Sequence, residues 1–254
     1  MNKEYRKAII AGNWTMNILP SEVKGYAEQL TNLIGTPADV EVAVCVPFVS
    51  LCNAMDAFGG SCVQIGAQNV NENANGAFTG EISADQLADL KIKYVIVGHS
   101  ERRALYGESE ELVGKKTIVA LEKALTPIVC VGETLEQREA GHTLDVVYSQ
   151  LVTALSGVAS DSIKKIVVAY EPVWAIGTGK TASSADAQEV CAAIRGKIAE
   201  LYTEADAQAV SILYGGSVNE KNAEELFSMT DIDGGLVGGA SLVPASFAQI
   251  VDKA

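Results

Sequence analysis

Only two histidines occur in this chain, and one of them, His99, stands where a reacting group would stand. It follows the apolar stretch ending at Val97-Gly98 and opens the helical pattern that begins Ser100-Glu101-Arg102-Arg103. The partial positive charge of a helix N-terminus disfavours an imidazolium, so such a ring can stay neutral and donate a hydrogen bond to a carbonyl oxygen. The same placement suits a histidine that merely satisfies a backbone group, and spacing alone leaves both readings open. His142, in Ala140-Gly141-His142-Thr143, reads as a surface residue at a helix start. A second candidate is Glu171, which ends the run Ile166-Val167-Val168-Ala169-Tyr170. A carboxylate at the end of an apolar strand is a candidate general base, and Pro172 biases its backbone toward an extended conformation. Residues 173–176 then offer an apolar tip and Gly177 and Gly179 a hinge, the ingredients of a lid that excludes water. The alternative is a plain loop carrying an exposed glutamate. Two glycine pairs, Gly215-Gly216 before Ser217 and Gly238-Gly239 before Ala240, leave backbone amides free to converge on an anion at helix starts.

Positioning these groups requires eight short β-branched runs, 7–13, 40–46, 63–67, 93–98, 127–132, 166–171, 210–215 and 233–237, alternating with helical patterns. Most are continuously apolar, as expected for strands buried on both faces. Asn13, His99 and Glu171 all sit at strand ends, where a barrel of alternating strands and helices places its active site. Ser83 with Gln86 and Ser217 with Glu220 have the spacing of capping boxes, marking helix starts. The alternation predicts a parallel sheet with right-handed crossovers. Eight units in one 254-residue domain favour a closed α/β barrel over a doubly wound open sheet, which remains the rival. The longest irregular stretch, 68–80, is polar and rich in Asn and Gly, and long loops of that kind are usually functional.

Nineteen basic and 32 acidic residues give a net charge of −13, a field that argues against nucleic-acid or membrane partners. It repels small phosphorylated molecules as well, so any anion site must be built from local donors. The five cysteines include no CxxC pair, which points away from a disulfide framework or zinc site. The charged start of the chain has no apolar signal stretch, and no run is long enough to span a membrane, so a cytoplasmic protein is expected.

Gly12-Asn13-Trp14, Gly76-Ala77-Phe78-Thr79-Gly80-Glu81, the residues around His99, Cys130-Val131-Gly132-Glu133, the Glu171 segment and both glycine turns together resemble the triosephosphate isomerase family. They occur in that family's order along the whole chain. The resemblance implies a single (β/α)8 TIM barrel over residues 1–254. It also implies interconversion of dihydroxyacetone phosphate and glyceraldehyde 3-phosphate through an enediolate, with no metal or organic cofactor. Glu171 would shuttle the proton and neutral His99 would polarise the carbonyl, the roles already established for this family. Asn13 would help bind substrate. The amides of Gly177, Ser217, Gly238 and Gly239 would hold the phosphate, and Glu101 and Cys130 would stand in supporting positions.

One position departs from the pattern. Where the family carries a lysine facing phosphate and enediolate, this chain has Thr15. The resemblance gives Lys180 no compensating role, because the family has a lysine there too. Glu101, near that lysine in the family, would face the anion without it. Three readings follow: a working isomerase that compensates for Thr15, the same enzyme severely impaired, or a non-enzymatic phosphate-ligand-binding or scaffold protein on the old barrel. The impaired enzyme is the favoured reading, since His99, Glu171 and the lid are all retained. Asn13-Trp14-Thr15 also spells a glycosylation acceptor, given little weight because Asn13 is expected inside the barrel mouth. Residues 68–81 resemble the family's long third loop. The resemblance implies a homodimer, with Thr79 reaching toward Asn13 and Thr15 of the partner subunit.

Overall fold

The computed structural model describes residues 5–176 and 182–254. Eight strands, β1 (Ala8–Asn13), β2 (Val40–Val46), β3 (Gln64–Ala67), β4 (Tyr94–Val97), β5 (Thr126–Val131), β6 (Val167–Tyr170), β7 (Ser211–Tyr214) and β8 (Gly234–Val237), form a closed barrel in sequence order. All pairings are parallel, and β1 pairs with both β2 and β8, with Ile9 opposite Glu41 on one side and Gly234 on the other. That closing pair excludes the open doubly wound sheet.

The apolar runs are explained by two cores on opposite faces of one sheet. Successive strand residues point to opposite faces. Ile9, Ala11, Ala43, Cys45, Ile96, Ile128 and Ala169 fill the barrel interior. Ile10, Val42, Val44, Val97, Val129 and Val168 pack outward beneath the helices. Each buried aliphatic side chain contributes about 1.5–3 kcal/mol relative to exposure, so neither face tolerates a polar alternation.

The N-terminal end of the barrel is closed by charge. Asp233, fully buried just before β8, accepts from Arg6 Nε at 2.7 Å, Arg195 Nη2 at 2.7 Å and the Ile212 amide at 2.9 Å. Arg195 also donates to the carbonyls of Ala207 and Val210 and to Asp231. On the other side of this end, Glu41 accepts from Lys7, Lys93 and the Tyr94 hydroxyl. Its burial works to raise the carboxyl's pKa, but these hydrogen bonds together hold it below the usual range.

The Ser83 capping box forms with both reciprocal bonds, Ser83 N to Gln86 Oε1 at 2.9 Å and Gln86 N to Ser83 Oγ at 3.3 Å. The one expected at Ser217 does not. The helix Ala223–Ser228 begins later, after Asn222, whose side-chain amide donates to the Ser217 carbonyl at 2.8 Å, while Glu220 is drawn to Ser246. The Gly215-Gly216 pair therefore lies in a bend well before the helix rather than at its start. Within the described residues, no helix is long and apolar enough to cross a membrane. The loop 68–80 is organised by Asn71, which bridges to Ser83 and donates to Glu81 at 2.7 Å.

Candidate active site

The C-terminal end of the barrel opens into a cavity of about 460 Å³. Asn13, Thr15, His99, Glu101, Glu171, Ser217, Gly238 and Gly239 all line it. Cys130 lies below, inside the barrel on β5, where burial and the adjacent Glu171 carboxylate push its thiol well above the ordinary range. Gly177 and the rest of 177–181, including Gly179 and Lys180, lie outside the described residues.

Glu171 is held by its backbone and left free at its tip. Its amide donates to the Val131 carbonyl at 2.8 Å. Its own carbonyl passes so close to Gly132 that a Cβ there would lie 1.7 Å away, and a Cβ on Gly215 would strike its side-chain stem at 2.8 Å. Only glycine permits either approach. The carboxylate is 2 % exposed at the residue level, and Oε2 accepts from the Ser100 amide at 2.9 Å, at a helix N-terminus. Oε1 lies 3.0 Å from His99 Nε2 but makes no well-aligned hydrogen bond there, and beside the neighbouring Cys130 thiol it has no other partner among the described residues. A buried carboxylate oxygen without a donor is costly, and here it faces the cavity with a lone pair available.

His99 answers both readings of its spacing. As N-cap of the helix Ser100–Tyr106 its Nδ1 accepts from the Glu101 amide at 3.3 Å. A ring accepting at Nδ1 carries its proton on Nε2, and that nitrogen faces the cavity, 3.0 Å from Glu171 Oε1 and 3.3 Å from Asn13 Nδ2, which is itself a donor and so makes no hydrogen bond with it in this tautomer. Asn13 is oriented by the Thr15 amide, which donates to its Oδ1 at 3.0 Å. Glu101 is half-exposed at the rim, with Oε2 3.6 Å from His99 Nδ1.

Thr15 sits at φ 48°, a left-handed conformation that is sterically costly for a β-branched residue. Its hydroxyl donates to the Trp14 carbonyl at 2.8 Å and accepts from Asn17 Nδ2 at 2.7 Å, so it is occupied within its own turn. Gln68 Nε2 holds the turn from below, donating to the carbonyls of Thr15 at 2.8 Å and Cys45 at 3.1 Å. Among the described lining residues none is lysine or arginine, and two are glutamates. After β8, the strand paired with β1, Gly238 and Gly239 open a short helical turn, Gly239–Leu242, with nothing within 4 Å of where a side chain would begin. That empty space beside backbone amides suits a small anion.

Residues 173–176 are not the exposed apolar tip their composition suggested. Residues Val173–Ala175 form a 3₁₀ turn with Ala175 fully buried, and Trp174 Nε1 donates to the buried Glu133 at 2.9 Å. His142 is an exposed helix N-cap, as read. Sequence reasoning missed the supporting roles of Ser100, Gly132, Gln68 and Glu133. Ser100, Gly132 and Glu133 stand within or beside the quoted motifs, but the partners that give them and Gln68 their roles are far away in sequence. No cluster of three or more potential metal ligands occurs among the described residues.

A family model described as triosephosphate isomerase matches residues 8–254. A curated triosephosphate isomerase from Alkaliphilus metalliredigens is 51 % identical over 247 residues, spanning 97 % of this chain and 99 % of that protein. Barrel, cavity and both comparisons agree: the chain belongs to the triosephosphate isomerase family and is an isomerase.

Proposed function

We propose that this chain interconverts dihydroxyacetone phosphate and glyceraldehyde 3-phosphate with a strongly reduced rate, because Thr15 stands where the family has lysine. Glu171 Oε1 is the base that moves the proton between the two carbons, and the unpartnered state of that buried oxygen is the observation that carries the assignment. His99 donates from Nε2 to the carbonyl oxygen as enediolate charge develops. Asn13 orients the substrate, and the amides of Ser217, Gly238 and Gly239, with Gly177, receive the phosphate. Glu101 and Cys130 support the site without touching the reacting atoms.

The impairment follows from charge. Removing one neutral oxyanion donor costs roughly 10²–10³ in rate, and a missing cation facing a dianion costs at least as much. The Thr15 hydroxyl is committed to Trp14 and Asn17 and does not replace it. Turnover by the purified chain beside Thr15→Lys is the test. The substitution should raise kcat/KM by about 10³-fold or more, about 4 kcal/mol at 1.36 kcal/mol per decade. Equal turnover would overturn the role given to position 15.

The assembly we propose is a cytoplasmic homodimer through residues 68–81. Support comes from Met16, 95 % exposed beside the cavity, and Phe78, 45 % exposed at the loop tip, two apolar groups that a second subunit would cover. Light scattering that finds a monomer across the micromolar range would defeat it.

A further inference from the structure

The chain that leaves β6 after Glu171 and returns as the helix Ser184–Leu201 is anchored on both flanks, and one side chain reaches both anchors. On the outgoing flank, fully buried Glu133 accepts from the Tyr170 hydroxyl at 3.2 Å and from Trp174 Nε1 at 2.9 Å, and its carbonyl accepts from the Val173 amide at 3.0 Å. The Arg138 guanidinium lies 3.6 Å from Glu133 Oε1 and stacks on the Trp174 ring, 4.7 Å from its centroid. On the returning flank, Arg138 Nη2 donates to Asp186 Oδ1 at 2.8 Å. Asp186 divides its oxygens, because Oδ2 accepts from the Ser183 amide at 3.2 Å in the capping box that starts the helix. Ile176, two residues beyond Trp174, lines the reaction cavity.

We infer that Arg138 is a positioning residue for the isomerase site, fixing the two flanks of this connection to one another and thereby setting where Ile176 meets the ligand. The inference rests on the proposed reading of the cavity as the reaction site. Its two arms differ in strength. The Glu133 arm neutralises a fully buried carboxylate and is stacked on an indole, so it holds. The Asp186 arm joins side chains 29 % and 40 % exposed, where solvent and salt weaken an ion pair.

Arg138→Met would strand Glu133 without its cation and endanger the fold, so the informative variants are Asp186→Asn, which keeps an oxygen for Ser183, and Arg138→Lys, which keeps a charge for Glu133. Both, and the double variant, are made in the chain as written and with Thr15→Lys, measuring kcat, KM and Tm, together with the Kd of inorganic phosphate. The phosphate measurement needs no turnover, so it decides even if the reading of position 15 fails. Each single variant should raise KM and the phosphate Kd by about three- to tenfold with kcat within about twofold, and the double should be no worse than the larger single, because both break one tether. Unchanged KM and Kd in folded Asp186→Asn would overturn the inference, as would single effects that multiply in the double or a loss confined to Tm.

Discussion

At the N-terminal end of the barrel Asp233 receives two guanidinium groups and a backbone amide, whereas at the C-terminal end Glu171 keeps one oxygen without a hydrogen bond. Both carboxylates are buried to a similar degree. Burial is therefore not what separates them. The lower end satisfies its charge with fixed partners and gains rigidity. The upper end leaves charge unsatisfied, and an unsatisfied group is one that a substrate can engage. The described lining of the cavity repeats the contrast, with two glutamates and no cation, against a lower end where Arg6, Arg195, Lys7 and Lys93 surround two acids.

That contrast assigns the largest effect to Glu171→Gln. In the Thr15→Lys background it should lower kcat by about 10³–10⁴-fold, the upper range for a general base, while leaving the denaturation midpoint unchanged or raised. A stability loss comparable to the activity loss would mean that Glu171 holds the fold together. Next comes Asp233→Asn, which strands two buried guanidiniums and should cost about 3–5 kcal/mol of stability, with kcat unaltered. Chemical denaturation read beside turnover checks both halves of that statement.

Glu41→Gln should cost less, about 1–3 kcal/mol for lost charge-assisted bonds, and its effect should depend on pH. Because the folded state holds the Glu41 carboxyl below its ordinary value, its contribution is present above the unfolded carboxyl's pKa and is lost as pH falls through the folded one. The gap between native and Glu41→Gln midpoints should therefore close below about pH 4, near the reference carboxylate value. A gap that widened in acid would contradict the shift. The smallest effect is predicted for the stability of Thr15→Lys. Relief of a β-branched residue at positive φ opposes the burial of a new charge, so the net change should stay within about 1 kcal/mol. A change above about 2 kcal/mol in either direction would show that position 15 carries structural weight.

The strands were legible because each must be apolar on two faces, and the run 40–46 coincides with β2 while 93–98 exceeds β4 by one residue at each end. His99 and Glu171 were legible because strand ends in an alternating chain share one rim. What escaped has no local signature. Arg6 and Asp233 are 227 positions apart, and nothing near either announces the other. The Ser217 pattern misled because a three-residue spacing reports a capping opportunity, and here Asn222 and Ser246 offered stronger partners. Composition made 173–176 look solvent-facing, but the indole nitrogen finds a carboxylate buried beyond β5. The left-handed turn at Thr15 was equally hidden, since Gln68, which holds its carbonyl, stands 53 residues away.

The pairing of β1 with β8 has a consequence for what an impaired chain does in a cell. A closed barrel presents no edge strand, and it is at unpaired edges that chains template one another into aggregates. A substitution at the cavity mouth that slowed turnover, as proposed for position 15, would leave that closure intact and open no strand edge. On that reading, defects at position 15 would surface as lost flux before they surfaced as lost protein.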